Sequence, residues 1–262
     1  MIVLGAIVPH SPLLAPRVGK DRRNELAGTI RAYEEIEDRL YDASVETLVI
    51  ISPHAPRYPD AMSGNMAERY EGTLKSFGDH ETRVERRCDV LLLDRIQQGL
   101  RSGGSIPFTL TSSEELDYGC TIPLLLTEKV GTRIVPLSPS SLDAHAHAAF
   151  GASLKHILHE SSTRVAVFAS ADLSHRLSEQ SPAGFTAEGP AFDATIRGLL
   201  HSCDVKGLVS LDREAVEAAG QCGYASIVTA MSIFETMNVR VEELCYEAPF
   251  GVGMLTSVIE PQ

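Results

Sequence analysis

One recurring pattern limits what this 262-residue chain can become: an apolar run of strand length that ends on a histidine. It appears as Val3-Leu-Gly-Ala-Ile-Val-Pro-His10, as Leu48-Val-Ile-Ile-Ser-Pro-His54 and as Val165-Ala-Val-Phe-Ala-Ser-Ala-Asp172-Leu-Ser-His175. Helix-like stretches separate these runs, an alternation that points to parallel strands joined by crossover helices. Between the first two runs, Leu26, Ile30, Tyr33, Ile36 and Leu40 recur every three to four residues and make one buried helical stripe. The pattern predicts strands over 2–8, 46–52, 133–137, 164–170, 240–246 and 253–259. Helices are expected over 22–42, 89–101, 142–160, 188–202 and 213–236. No repeat or low-complexity linker interrupts the chain. The expected architecture is therefore α/β, a single domain over 1–262 with a central, mostly parallel sheet flanked by helices.

In open α/β sheets ligands bind beyond the carboxyl ends of the strands, so three imidazoles placed there can converge on one point. Neutral imidazole ligates iron, zinc and copper, and it exchanges protons near neutral pH. A lone histidine at a strand end would more often cap a loop, but three in similar contexts favour a metal or acid/base site. His145, His147, His156 and His159 share one helical stretch and, with His80 and His201, are expected at the surface. Cys222, between glycines at the start of an apolar helix, is the cysteine best placed to be reactive, because a helix N-terminus lowers a thiol pKa. Asp172 precedes His175 by three residues, so its carboxylate is expected either to orient that imidazole or to join the site itself, while Glu217 and Glu247 are further acids near the suspected segments.

Composition removes several alternatives. With 23 Lys+Arg against 35 Asp+Glu the net charge is −12, and no basic stripe exceeds the pair Arg86-Arg87, so nucleic acid and anionic membrane are not expected partners. Apolar runs fall far short of the ~20 residues that cross a bilayer. Five scattered cysteines and an opening without a basic segment read as a cytoplasmic protein with reduced thiols. P-loop, GxSxG, HExxH and dinucleotide fingerprints are absent.

The segments Val8-Pro-His10-Ser-Pro, Ile51-Ser-Pro-His54-Ala-Pro, Leu116-Asp-Tyr-Gly119, Ser170-Ala-Asp-Leu-Ser-His175-Arg, Ala219-Gly-Gln-Cys222-Gly and Tyr246-Glu-Ala-Pro-Phe-Gly251 occur in this order. Together they resemble the class III extradiol ring-cleavage dioxygenase (LigB-like) superfamily and, within it, the Memo-like branch, also called AmmeMemoRadiSam system protein B. The resemblance implies a mononuclear metal at the strand ends, most simply Fe(II), with copper or zinc as alternatives. His10 and His54 match the metal-binding histidines, and His175 matches the catalytic histidine. Cys222 matches a cysteine that stands near the metal in the Memo-like branch, where ring-cleaving members have glutamate. Glu217 and Glu247 remain alternatives for the third ligand. Tyr118 stands where ring-cleaving relatives carry histidine.

The implied substrates are a catechol-like or aminophenol-like ring and O2, with His175, Asp172 and Tyr118 as the catalytic group. Two other readings remain: a Memo-like copper- or iron-binding redox or accessory protein, and a zinc hydrolase. Relatives often dimerise, so a homodimer is among the expected arrangements.

Overall fold

The computed structural model describes residues 1–103 and 106–262. Eleven strands are described: β1 (Ile2–Val8), β2 (Thr47–Ile51), β3 (Met62–Asn65), β4 (Arg69–Leu74), β5 (Asp79–Arg87), β6 (Phe108–Thr111), β7 (Glu115–Leu116), β8 (Arg133–Ser138), β9 (Val165–Ser170), β10 (Val239–Glu247) and β11 (Met254–Pro261). The α-helices are α1 (Pro16–Gly19), α2 (Ala27–Asp42), α3 (Val90–Gly103), α4 (Tyr118–Leu126), α5 (Ala144–His159), α6 (Glu188–His201), α7 (Val205–Val209), α8 (Arg213–Ala218) and α9 (Tyr224–Phe234).

Strands β2 and β9 are buried at every residue and β1 at all but Val3, which is why they read as continuous apolar runs: both of their faces are covered. They form the middle of an eight-stranded sheet ordered β10-β11-β1-β9-β2-β8-β3-β6. The four strands β1, β9, β2 and β8 are mutually parallel, while the β10–β11 hairpin and β3 add antiparallel pairs on either side. Helix α2 packs on β1, β10 and β11; α3, α5 and α9 pack on one another and on β8 and β9. A second sheet, β5-β4-β7, lies against α4. Gly72 of β4 permits that approach, since a Cβ there would stand 2.5 Å from Thr121 Oγ1. The result is a single α/β domain.

Two departures from the sequence reading affect the site. The region 213–236 is two helices, because Gly220 takes a left-handed conformation (φ 64°) and turns the chain between α8 and α9. The Pro/Gly-rich stretch 52–64 ends in β3 rather than remaining loop throughout.

Candidate metal centre and active site

Strand order puts β9 between β1 and β2, so the segments that follow these three strands emerge side by side at one edge of the sheet. Pro9-His10, Ser52-Pro53-His54 and the segment from Ala171 to His175 meet there. The Gly220–Gly223 turn completes the group. Gly223 lies flat on this segment: its N–H donates to Asp172 O at 3.1 Å, and a Cβ on it would stand 2.3 Å from that of Ala171. Glycine beside Cys222 is therefore what lets the thiol enter.

His10 Nε2 lies 2.9 Å from His54 Nε2, 3.3 Å from Cys222 Sγ and 3.6 Å from Asp172 Oδ2. Cys222 Sγ in turn lies 3.9 Å from His175 Nε2. The tautomer of His10 follows from its neighbours. Ser170 Oγ donates its one proton to Gly119 O at 2.5 Å, because a carbonyl can only accept. At 2.8 Å from His10 Nδ1 the hydroxyl must then accept, which fixes the proton on Nδ1 and leaves a lone pair on Nε2 facing the other donors. That lone pair faces both His54 Nε2 and the Cys222 thiol as possible donors, and the Tyr118 hydroxyl stands 2.8 Å from His54 Nε2 and 3.1 Å from Nδ1, within reach of either His54 tautomer. The Tyr118 ring stacks on His54 with centroids 4.2 Å apart.

Loop chemistry holds these groups in place. Asp117 caps α4 through the Cys120 N–H and accepts from Ser52 Oγ, and Gly119 fits between Ser52 and His54 with no room for a side chain. Asp172 Oδ1 accepts the backbone N–H of His10 at 2.9 Å. Its carboxylate thus positions His10 and stands in the site itself, the second of the two roles expected for it; no hydrogen bond joins the Asp172 and His175 side chains among the described residues, so the orienting role toward His175 is not the one seen. Instead, His175 rides on a segment fixed from outside: Asp193 accepts from Ser174 N and from the Tyr246 hydroxyl, both at 2.8 Å, and Gly253 pairs with Leu173 and Ser174. Asp193 was not singled out in the sequence. Its only signal is a carboxylate on the apolar side of an amphipathic helix.

Electrostatics at the centre favour uncharged groups. Burial, with His175 adding to it, pushes His10 down to about 3, and burial and His10 push His54 down to about 4, so both imidazoles are neutral at physiological pH. Burial raises the Asp172 carboxyl, and burial together with Asp172 raises the Cys222 thiol. The expected lowering of that thiol by the helix N-terminus is outweighed by its removal from water. No lysine or arginine pairs with Asp172 among the described residues. Such a set of lone pairs and acids fits a cation, which would deprotonate the thiol outright. The ligand atoms of His10, His54 and Cys222 all lie within 4.8 Å of one another, so these three side chains could hold one ion between them.

The other sequence candidates lie elsewhere. Glu217 is exposed on α8 and pairs with Arg213 at 2.7 Å. Glu247 accepts the Thr29 N–H at 2.7 Å, at the start of α2. His147, expected at the surface, is buried: its Nδ1–H donates to Asp143 O and its Nε2 accepts from Ser140 N. In front of His175 and Tyr118 opens a cleft of about 650 Å³, walled by Phe77, Pro249 and Phe250.

The family model "Catalytic LigB subunit of aromatic ring-opening dioxygenase" matches residues 4–256. The chain belongs to the LigB family. Among curated proteins it is similar to Protein CA_C1420 of Clostridium acetobutylicum, with 28% identity over 258 residues that cover 94% of this chain and 55% of the relative. The chain thus spans about half the length of that relative. Among solved structures, the uncharacterized protein JW3007 from Escherichia coli K12 superposes with a TM-score of 0.71 at 17% identity, covering 98% of this chain and 99% of the other. That likeness bears on the LigB fold. No described helix is long and apolar enough to cross a membrane.

Proposed function

We propose that this LigB-family chain is a non-haem, metal-dependent extradiol-type dioxygenase acting on a catechol-like or aminophenol-like ring with O2. The observation that carries the reading is the His10 tautomer, which aims a bare Nε2 at His54 and Cys222 beside a cleft that also exposes His175 and Tyr118. His10, His54 and Cys222 would hold Fe(II), which supplies a single point where the substrate oxygens and O2 meet. His175 takes the proton of the second substrate hydroxyl as the ring binds and returns it as the ring opens. Both oxygen atoms end in the product, so no external reductant is consumed. Tyr118 donates a hydrogen bond to a substrate oxygen, and Asp172 keeps His10 in place through its backbone N–H. Phe77 and Phe250 shield the cleft from water.

A second reading is favoured by the thiol beside His10: a Memo-like copper- or iron-binding redox or accessory protein that cleaves no ring. One experiment separates the two. Protein loaded anaerobically with Fe(II) is given a panel of catechols and aminophenols, oxygen consumption is followed, and His54→Ala serves as control. Metal-dependent uptake with a yellow ring-opened product is expected. No uptake by protein shown to hold iron, together with stable Cu(I) binding abolished by Cys222→Ser, would establish the second reading instead.

A further inference from the structure

The basic pair Arg86-Arg87 takes no part in the metal centre. Folding gathers it with two further arginines, so that Arg69, Arg86, Arg87 and Arg133 line one cleft of about 530 Å³ between the small sheet and the turn before β8. In the β4–β5 ladder Arg69 stands directly opposite Arg87, and Glu71 directly opposite Glu85. Positions two apart on a strand point to one side, so these four side chains share a face of the sheet. Like charges set across from each other cost stability, whereas opposite charges there would add to it. The acids have relief, since Arg83 pairs with Glu71 at 3.2 Å. Arg69 and Arg87, both exposed, form no ion pair and no hydrogen bond among the described residues.

The other two guanidiniums are little better neutralised. Arg86 points toward α4, where its Nη2 donates to Leu124 O at 3.2 Å; its Nη1 donates to Glu85 O at 2.9 Å, and its buried Nε has no partner among the described residues. These carbonyls fix the group without cancelling its charge. Arg133 reaches Asp89 at 3.7 Å, a carboxylate that already accepts from Thr47 Oγ1 and Leu92 N. Glu71, Glu85 and Glu114 also line the cleft, so four positive charges face three negative ones, and Arg83 engages one of the three from outside. A chain of net charge −12 thus keeps an unrelieved Arg69–Arg87 pair at the mouth of a cleft of small-molecule size. An anion bridging the two guanidiniums removes their repulsion, and the planar fork of each matches two oxygens of a phosphate.

We propose that this cleft is a second binding site, apart from the metal centre, which takes a small soluble phosphorylated ligand with two or more negative charges across the Arg69–Arg87 pair, with Arg86 and Arg133 adding to the attraction. The probe is inorganic pyrophosphate, titrated calorimetrically into the purified chain at fixed ionic strength. One pyrophosphate per chain should bind. Arg69→Gln and Arg87→Gln should each weaken it about tenfold, the scale of one charge-assisted hydrogen bond. Arg240→Gln, at an exposed arginine of β10, should leave the affinity unchanged. The same variants give a second readout without ligand. Each removes one member of a repulsive pair, so neither should lower Tm, and the rise in Tm that pyrophosphate gives the unmodified chain should shrink in both.

Absence of saturable binding at millimolar pyrophosphate overturns the proposal. So does binding indifferent to Arg69→Gln and Arg87→Gln, which would put the probe elsewhere, for instance on an ion held at the metal centre. An equal loss in all three variants overturns it as well, because a diffuse field rather than a built site would then hold the anion. A lower Tm in the unliganded Arg69→Gln and Arg87→Gln proteins refutes the repulsion on which the assignment stands.

Discussion

Ser170→Ala isolates the device that sets the His10 tautomer. Ser170 is wholly buried, accepts from His10 Nδ1–H and donates to Gly119 O, so alanine leaves one buried donor and one buried acceptor unpaired. At ~1–3 kcal/mol for each unpaired group, the metal-free protein should lose about 2–6 kcal/mol. For a chain of this size that lowers Tm by roughly 4–24 °C. The metal should feel a second effect. Without its acceptor, His10 is no longer confined to the tautomer with a bare Nε2, and loss of such a supporting partner typically weakens binding 10- to 100-fold, about 1.4–2.7 kcal/mol. Thermal unfolding of the metal-free protein reads the first effect, and anaerobic competition with a chelator reads the second. Ser170→Thr keeps the hydroxyl and should retain affinity even where the extra methyl costs stability. A Ser170→Ala protein that is destabilised but binds metal within twofold of the unmodified chain would refute the tautomer argument.

Tyr118→Phe should lower turnover by tenfold or more while changing metal affinity less than threefold, on the scale of one transition-state hydrogen bond; parallel losses in the two assays would count against a role toward substrate. Cys222→Ser should weaken Cu(I) binding far more than Fe(II) binding, because the thiol is the soft donor of the set, and titrations of both ions test this. Gly119→Ala puts a Cβ 2.4 Å from Ser52 Oγ and 3.3 Å from His54 Cδ2, so it should cost about 1–3 kcal/mol in chemical unfolding and displace His54 from the site. Asp193 gives the pH test. Burial raises its carboxyl from 3.8 to about 6, so the folded chain keeps this proton where the unfolded chain has lost it. Its stabilising share is full below pH ~4 and is lost as pH rises through ~6, up to about 3 kcal/mol. Asp193→Asn should flatten that fall in unfolding free energy measured across the same range.

The middle of the sheet was legible because β1, β2, β8 and β9 are apolar along their length, and their observed bounds differ from the expected ones by a residue or so. The elements that were missed lack such a signature. Strand β3, Met-Ser-Gly-Asn, has no β-branched residue, and β5 is charged at most of its positions because one face meets solvent. Helix α4 contains Gly119 and Pro123 and is buried nearly all round, so it shows no amphipathic period. At the site, the convergence of His10, His54, His175 and Cys222 could be anticipated from strand ends and flanking glycines. The partner of Asp172 could not be. Sequence proximity pointed to His175, while the parallel register of β1 and β9, with Val8 opposite Ser170, brings His10 within reach instead. The roles of Ser170 and Asp193 are hidden in the sequence for the same reason, since their partners are distant along the chain.

The placement of β9 between β1 and β2 also ties ligand binding to folding. His10 and Cys222 are 212 positions apart, and they meet only when β1 and β9 are paired and the turn after α8 is seated on the segment that follows β9. A partly folded chain therefore offers no such cluster, and any ion gripped by these side chains favours the complete fold over every incomplete one. At a free concentration one hundred times its dissociation constant, that preference amounts to about 2.7 kcal/mol. The melting temperature of this protein should accordingly follow the metal content of its surroundings, and an ion-starved cell would register first as a smaller folded population.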